Sequence, residues 1–167
     1  VNPDILLRED SFTVLRSFLE KSKAGMAVPR LLDEEGNLQA VYRRDLTVAD
    51  MAIRMMFSSH FKRRKHYHTM QDMDYEKPFP VPFAQGSFLV IRTDLFRELG
   101  GFDSRYFMYM EDVDLCRRVN EKSSVWYCPD TAVIHKWERG SHKNWRLFRM
   151  HLLSMFRYFG KWGWKLW

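Results

Sequence analysis

The sequence has few cysteines and lacks a long apolar run. Its two cysteines, Cys116 and Cys128, are too few for a disulfide framework and form no paired metal motif, so we expect a reducing compartment. No apolar stretch approaches the roughly 18 residues that a membrane-spanning helix needs, so the chain is not expected to cross a bilayer. Repeats and low-complexity segments are also missing. With 167 residues, of which 46% are hydrophobic, a single core is the expected organisation.

Positive charge is concentrated at one end of the chain. Residues 136–167 contain eight Lys or Arg and one Glu, a balance of +7 against a total of +6, so the first 135 residues carry −1. A pI near 9.4 and many aromatic residues would suit a nucleic-acid-binding module, which is one alternative. The main part of the chain has no positive excess and no zinc-finger, helix-turn-helix or RNA-recognition signature. Nucleic acid is therefore not the expected partner.

Apolar spacing and turn residues predict an α/β fold. A 3.6-residue period predicts a helix over residues 11–23 with Ser11 as its N-cap. The run GSFLVIR predicts a buried strand, and TDLFRELGG predicts a helix that is capped by Thr93 and ends at Gly100. A strand followed directly by a helix is typical of α/β proteins.

Other segments give weaker signals. VPRLLDEEGNLQAVYRR predicts two extended runs around a turn at Gly36–Asn37, and SVWYCPDTAVIH predicts two more around Pro129–Asp130. Residues 45–77 predict a helix and then an exposed loop that includes the basic sequence KRRKHYH. EDVDLCRRVNE predicts a short helix that is acidic at its N-terminus. The start VNPDILL has neither an initiator Met nor a signal-peptide pattern, which predicts an internal cut.

Three carboxylates stand within four residues at the start of that short helix. Asp112 and Asp114 are two residues apart, so their side chains point about 200° away from each other and cannot both face one cavity. Asp114 and Arg118 have the spacing of an ion pair on one helix face. Glu111 and Asp112 therefore remain as candidates for chemistry. The alternative is that they are ordinary helix-start acids, which the helix dipole favours.

Two more residues could bind a cation. Asp4 follows Pro3 in a turn-like NPD, although a plain turn would explain it as well. His135 ends an extended run, where a lone histidine is ordinarily packed and hydrogen-bonded. An oxygen donor, an imidazole and a base at the ends of separate elements would suit a divalent cation bound to a diphosphate.

Three stretches carry a family resemblance: VNPD, GSFLVIRTDLFRELGGFDSRYFMYMEDVDLCRR and CPDTAVIH. They resemble the second half of family 2 glycosyltransferases, in particular the bacterial rhamnosyltransferase-type enzymes. The resemblance implies the GT-A fold, a mixed, Rossmann-like sheet with flanking helices, whose N-terminal nucleotide-binding half is missing from this chain. It divides the chain into residues 1–140, the C-terminal part of that domain, and residues 141–167, a basic aromatic tail.

The same resemblance implies a metal site. Asn2-Pro3-Asp4 stands where the family has its Asp-x-Asp motif, with Asn2 in place of the first acid. Asp4 and His135 are then the implied ligands of Mg²⁺ or Mn²⁺.

The Glu-Asp motif of the family implies roles for the carboxylates. Asp112 is the implied catalytic base, and Glu111 adjusts its pKa or orients the acceptor. Gly86 and Ser87 match the loop before the acceptor site. Asp103, with Gly100 and Gly101 just before it, matches the turn that positions the base.

The implied reaction is inverting transfer of a sugar, for which rhamnose is the candidate, from a nucleotide-diphosphate sugar to a saccharide or lipid-linked acceptor in surface polysaccharide synthesis. Without the family's opening strands, the fragment is expected to have little or no activity alone. An exposed sheet edge suggests a homo-oligomer. The expected location is cytoplasmic, at the inner face of the membrane. A noncatalytic membrane- or nucleic-acid-binding module is the alternative.

The tail predicts one amphipathic helix. Its apolar stripe follows the spacing 3, 4, 3, 4 and consists of Trp145, Phe148, Leu152, Met155 and Phe159. One interpretation is a final helix that packs on the domain. The other is an interfacial helix on an anionic membrane, which a lipid-linked acceptor favours and which predicts peripheral membrane contact.

Overall fold

The computed structural model describes residues 1–7, 9–56, 60–136 and 145–167. Within these ranges the strands are β1 (Ile5–Leu7), β2 (Met26–Leu32), β3 (Phe79–Pro80), β4 (Val90–Ile91) and β5 (Val125–His135). The helices are α1 (Ser11–Ser22), α2 (Val48–Met56), α3 (Lys62–His68), α4 (Thr93–Glu98), α5 (Glu111–Lys122) and α6 (Trp145–Trp162). The α/β class predicted from the sequence is confirmed. The proposed boundary between residues 140 and 141 lies outside the described residues.

The sheet is mixed and centres on β5. Its strand order is β1-β5-β2-β4, and β3 also pairs with β5. The β2–β5 pair is parallel, and the other pairs are antiparallel. Both central strands are buried along most of their length, as parallel strands covered on both faces should be. The register of β2 against β5 shifts between Val28 and Arg30, opposite Pro129–Asp130, so the two predicted extended pieces are one strand with an irregularity between them.

The first helix begins one residue earlier than its capping signal suggested. Asp10 is the N-cap, and its carboxylate accepts a hydrogen bond from the backbone N–H of Thr13 at 3.1 Å. Ser11 is instead fully buried, and its hydroxyl accepts a hydrogen bond from Thr131 on β5 at 2.8 Å. The prediction of Ser11 as N-cap was wrong because both residues are good caps and only tertiary burial distinguishes them.

The basic sequence KRRKHYH is helix α3, and the prediction of an exposed loop there was wrong. Contacts with other segments offset the repulsion among its positive charges. Arg64 forms an ion pair with Asp50 of α2 at 2.7 Å, and the guanidinium of Arg44 lies 3.8 Å from the ring centroid of Tyr67. Tertiary contacts therefore decide a segment whose own periodicity is weak.

The predicted strand GSFLVIR is shorter than expected, since only Val90–Ile91 pairs with β2. The residues before it use their backbone groups elsewhere. The N–H of Gly86 donates to the carboxylate of Asp112 at 3.0 Å, and the carbonyl of Ser87 accepts from the N–H of Asn2 at 2.8 Å. Helix α4 starts at Thr93 itself, so Thr93 is not its N-cap. Arg92 occupies the N-cap position, and its side chain makes no capping hydrogen bond.

The final helix α6 packs on α5 through a buried carboxylate. Asp114 is fully buried and accepts from Arg118 at 2.8 Å, from Lys161 at 2.6 Å and from the indole N–H of Trp162 at 2.8 Å. The predicted Asp114–Arg118 pair is thus present, in a buried network rather than on the surface. Along the predicted stripe, Phe159 is buried and Trp145 is 71% exposed, so only the second half of α6 is covered by the domain.

Candidate functional site

The sheet brings Asp4 and His135 together. Antiparallel pairing places Ile5 opposite His135, and the N–H of Lys136 donates to the carbonyl of Asp4 at 3.0 Å. The carboxylate Oδ2 of Asp4 then lies 3.3 Å from Nε2 of His135. The imidazole is almost completely buried, whereas the Asp4 side chain keeps 38% of its exposure. The two implied metal ligands therefore face one another at an accessible end of the β1–β5 ladder.

Gln39 fixes which nitrogen of His135 carries a proton. Its amide nitrogen donates to the carbonyl of His135 at 2.8 Å, so the amide oxygen must face the ring, 3.0 Å from Nδ1. An amide oxygen only accepts, so Nδ1 carries the hydrogen. In the neutral imidazole, Nε2 then presents its lone pair to the Asp4 carboxylate. Two lone pairs at 3.3 Å repel unless a cation lies between them or Nε2 is protonated as well.

The pair fits a divalent cation. A separation of about 3 Å is what two adjacent ligands have in an octahedron whose metal–oxygen distance is about 2.1 Å. Fixing of the far ring nitrogen by a second residue is usual for metal-binding histidines. Oδ1 of Asp4 is buried without a hydrogen-bond partner among the described residues. No cluster of three or more His, Cys, Asp or Glu ligands occurs among those residues, so water and diphosphate oxygens would complete the coordination, as Mg²⁺ commonly allows.

Asp112 lies at the start of α5 against the loop that contains Gly86. Its Oδ2 accepts from the Gly86 N–H at 3.0 Å, and its Oδ1 accepts from the Val113 N–H at 2.8 Å. Burial raises the pKa of the Asp112 carboxyl, while these two hydrogen bonds and the charge of Arg43 oppose the rise. A Cβ on Gly86 would lie 3.1 Å from the Cβ of Asp112, so glycine permits this close approach.

Backbone strain precedes the two carboxylates. Tyr109 and Met110 have φ values of 66° and 69°, which non-glycine residues rarely adopt. Such strain is concentrated at functional sites in folded proteins. Burial, and then the charge of Asp112, raise the pKa of the Glu111 carboxyl, and its Oε2 is buried without a hydrogen-bond partner among the described residues.

A ring of contacts joins the two parts of the site. Asn2 binds the carbonyl of Ser87, next to Gly86 and Asp112, and Asp4 lies two residues further on. On the other side, the segment from Gln39 leads to Arg43, whose backbone exchanges hydrogen bonds of 2.8 and 3.0 Å with Phe83. Phe83 lies three residues before Gly86. This circuit is called the ring of contacts below.

Unpartnered polar atoms are concentrated on the ring of contacts and at Glu111, next to Asp112. Among the described residues, four buried side-chain N or O atoms have no hydrogen-bond partner, and three of them belong to Asp4, Ser87 and Glu111. Ser87 itself is only 1% exposed. Leaving such groups unpaired costs about 1–3 kcal/mol each, so a bound ligand that supplies partners would be favoured here.

Asp103 has different neighbours from the other candidates. Its carboxylate contacts Arg105 at 2.6 Å and Lys161 of α6 at 3.0 Å. Hydrogen bonds from Arg105 and then Lys161 hold its pKa well below the usual range. The described contacts join it to the Asp114 network through Lys161, and none joins it to Asp112. Its implied role in positioning the base can therefore act only through α5 and the turn.

Sequence reasoning missed Gln39 and Arg43. Both lie in NLQAVYRR, where polar residues in an extended run give no sign that they turn inward. Arg43 is only 9% exposed, which is unusual for arginine and is visible only in the structure.

Known relatives give the site its context. No protein-family model matches the chain. The chain is 27% identical over 165 residues to the rhamnosyltransferase WbbL of Escherichia coli K12. The aligned region covers 96% of this chain and 60% of WbbL. A second, the N-acetylglucosaminyl-diphospho-decaprenol L-rhamnosyltransferase of Mycobacterium tuberculosis, is 32% identical over 139 residues, or 80% of this chain and 45% of that enzyme. The chain thus spans about half the length of these relatives.

Proposed function

We propose that this chain supplies the acceptor side and the catalytic base of an inverting family 2 glycosyltransferase. It would transfer a sugar, with rhamnose the first candidate, from a nucleotide-diphosphate donor to a saccharide or lipid-linked acceptor. The observation that carries the proposal is the ring of contacts, which holds the Asp4–His135 pair and the Asp112 carboxylate on neighbouring segments. The rhamnosyltransferase relatives support the choice of reaction.

Asp112 is the proposed base. As the acceptor hydroxyl oxygen bonds to the anomeric carbon, the bond from that carbon to the donor diphosphate breaks, and the hydroxyl proton moves to a carboxylate oxygen of Asp112. A raised pKa makes the carboxylate a better proton acceptor, and the N–H groups of Gly86 and Val113 hold it in place. Glu111, whose pKa is also raised, would bind a second acceptor hydroxyl through its unpartnered oxygen.

Asp4 and His135 are the proposed holders of Mg²⁺ or Mn²⁺. A cation bound there would neutralise the charge that develops on the departing diphosphate. The contribution of the chain itself is the geometry: Gln39 orients the imidazole, and the β1–β5 ladder aligns the carboxylate. Ser87 would donate its free hydroxyl to the substrate at the other side of the ring of contacts.

Asp112→Asn in the full-length protein tests this function. We expect the rate of rhamnosyl transfer to fall about 10²–10⁴-fold, the usual contribution of a general base, with a free energy of unfolding within about 1 kcal/mol of the wild-type value. Asp94→Asn is the matched control, because Asp94 also lies in the first turn of a helix but is exposed and paired with Arg92. Turnover by Asp112→Asn equal to that of the control would rule out Asp112 as the base.

Peripheral membrane contact is a further part of the proposal. Within the described residues, no helix is both long enough and apolar enough to cross a bilayer. The exposed face of α6 includes Trp145, Leu153 and Phe156 together with Arg149, as that of an interfacial helix would. The last residues are already bound to the domain, because the carbonyl of Lys165 accepts from the N–H of Val48.

Liposome sedimentation separates the two interpretations of α6. Leu153→Ser combined with Phe156→Ser should weaken binding to anionic vesicles about tenfold, since each removes buried apolar area from the bilayer contact. Equal sedimentation of this variant and the wild-type protein would leave α6 as a packed final helix only.

A further inference from the structure

Helix α3 presents cations that the fold does not use. Lys62, Arg63 and Lys65 are exposed, and none of them forms an ion pair with a carboxylate in the part of the chain that the structure describes. Lys62 and Lys65 have the i, i+3 spacing at which like charges destabilise a helix, and they lie in its first turn, where the helix dipole disfavours cations. The folded chain therefore retains an electrostatic cost here that an external anion would reduce.

The carboxylates around α3 are already used. They form ion pairs with other cations, namely Asp50 with Arg64 at 2.7 Å, Asp72 with Arg44 at 2.8 Å and Asp45 with Lys165 at 3.5 Å. Arg64 and His68, four residues apart, form the face of α3 that turns towards Asp50. The inner face of the helix is therefore neutralised, and the outer face keeps its charge.

Aromatic and apolar side chains lie directly beside α3. The guanidinium of Arg64 lies over the ring of Trp167, 4.2 Å from its centroid. Leu166 and Trp167 both keep more than half of their exposure. Their backbone is nevertheless fixed, because the carbonyls of Lys165 and Leu166 accept hydrogen bonds of 2.9 and 3.2 Å from the first two N–H groups of α2. The fold therefore holds these side chains towards solvent beside the cations of α3.

Ring contacts continue this surface onto α6. Trp164 is about half exposed, and its ring centroid lies 5.6 Å from that of Phe156, on the exposed face of α6. It also lies 5.4 Å from the ring of Phe159, which is buried and anchors the indole. The cations Lys62, Arg63 and Lys65 and the side chains of residues 164–167 are called the α3 surface below. This surface is joined to the apolar face of α6 through Trp164.

We propose that the α3 surface binds the headgroups of anionic lipids. Lys and Arg are attracted to the anionic lipids of a membrane surface, and tryptophan favours the headgroup layer. Helix α3 then supplies the selectivity for anionic lipid, whereas Leu166 and the exposed face of α6 supply apolar contact. The inference rests on the proposed peripheral membrane contact and extends it to a second segment of the chain.

A lipid surface fits these side chains better than nucleic acid does. Nucleic acid would also attract the cations, and its bases could stack on the tryptophans. Leu153 and Leu166, however, are aliphatic and more than half exposed, and neither a phosphate nor a base edge gives them a favourable partner. The hydrocarbon edge of a bilayer does, because burial of a leucine side chain is favourable.

Sedimentation with vesicles of two compositions tests the proposal in the full-length protein. The vesicles contain phosphatidylcholine alone or an equal mixture of phosphatidylcholine and phosphatidylglycerol. Lys62→Gln, Arg63→Gln and Lys65→Gln combined should weaken binding to the mixed vesicles about 100-fold at low salt, since each cation near an anionic surface contributes about fivefold. Binding to the neutral vesicles should not change. Leu166→Ser should instead weaken binding to both kinds of vesicle about tenfold.

The matched control removes the same charge elsewhere. Lys21→Gln, Lys23→Gln and Arg97→Gln combined change exposed residues at the end of α1 and on α4, and should leave binding within about threefold. Equal weakening by both triple variants would reduce the effect to net charge and overturn the proposal. Unchanged binding by the α3 variant would overturn it as well.

Two further arms separate this inference from its alternatives. If the α3 variant loses binding to a random-sequence oligonucleotide but still sediments with mixed vesicles, α3 binds nucleic acid and the proposal fails. If the α3 variant loses vesicle binding while Leu153→Ser combined with Phe156→Ser does not, the proposed contact of α6 fails and that of α3 stands. Sugar transfer enters none of these measurements, so an inactive protein leaves the test intact.

Discussion

Asp112 and Asp114 are two residues apart on one helix, yet their surroundings differ completely. Asp112 accepts hydrogen bonds from two backbone N–H groups and has no ion pair with a described residue at contact distance, so burial raises its pKa. Asp114 accepts hydrogen bonds from the side chains of Arg118, Lys161 and Trp162 and is fully buried. The partners of each carboxylate, and not its residue type, decide whether it stabilises the fold or is available for chemistry. A carboxylate supplied with cations stabilises the fold, and one left short of them can take up a proton.

The largest expected effect is on stability at Asp114. Asp114→Asn removes the charge that neutralises Arg118 and Lys161, and breaking a buried ion pair typically costs about 3–5 kcal/mol. The free energy of unfolding from urea titration should fall by about 3 kcal/mol, whereas Asp112→Asn should leave it within about 1 kcal/mol. Equal losses for the two variants would abolish the distinction between them.

A smaller effect is expected where Gly86 meets Asp112. In Gly86→Ala the new Cβ lies 3.1 Å from the Cβ of Asp112, so one of them must move by a few tenths of an ångström. We expect transfer to slow about tenfold and stability to fall by about 1 kcal/mol. Gly160→Ala is the control, since a Cβ there meets nothing within 4 Å and should stabilise α6. A Gly86→Ala enzyme with full activity would mean that this contact does not position the base.

The smallest effect is the opposite pH response of the two regions. Burial raises the pKa of Asp112 above its ordinary 3.8, whereas Arg105 and then Lys161 hold that of Asp103 below 3.8. A raised pKa contributes stability below the unfolded value that is lost as pH rises through the folded value, and a lowered pKa does the reverse. Asp112→Asn should therefore flatten the loss of stability as pH rises above 3.8.

Asp103→Asn supplies the matching test on the other side. It should lower stability at pH values above 3.8 and have less effect as pH falls through the lowered pKa. Melting temperatures of both variants across this range are the measurement. Parallel curves for the two variants would contradict the assignment of one carboxylate to the site and the other to the α6 contact.

The sequence predicted the α/β class and the Asp114–Arg118 pair because both depend on local periodicity. Local patterns could not predict that Asp4 meets His135, which only the family resemblance implied, since this depends on pairing of β1 with β5 across most of the chain. The strand at GSFLVIR was predicted too long because its first residues bind Asn2 and Asp112 instead. Likewise, the helical state of KRRKHYH depends on Asp50, a residue of another helix.

The site residues that were missed share one physical cause. Arg43 and Gln39 are polar residues in an extended run, and such residues ordinarily face solvent. They turn inward because Phe83 pairs with the backbone of Arg43 and His135 binds the amide of Gln39. Both contacts join segments that are distant in sequence. Local sequence patterns therefore do not reveal them.

Manganese binding tests most directly the claim that a cation lies between Asp4 and His135, beside the base. The electron paramagnetic resonance of Mn²⁺ should be measured in the full-length protein with a nucleoside diphosphate present. We predict nitrogen hyperfine coupling from one imidazole, which disappears in His135→Gln, and weaker Mn²⁺ binding in Asp4→Asn. Nitrogen coupling that persists in His135→Gln, or Mn²⁺ binding of equal strength in all three proteins, would contradict the assignment.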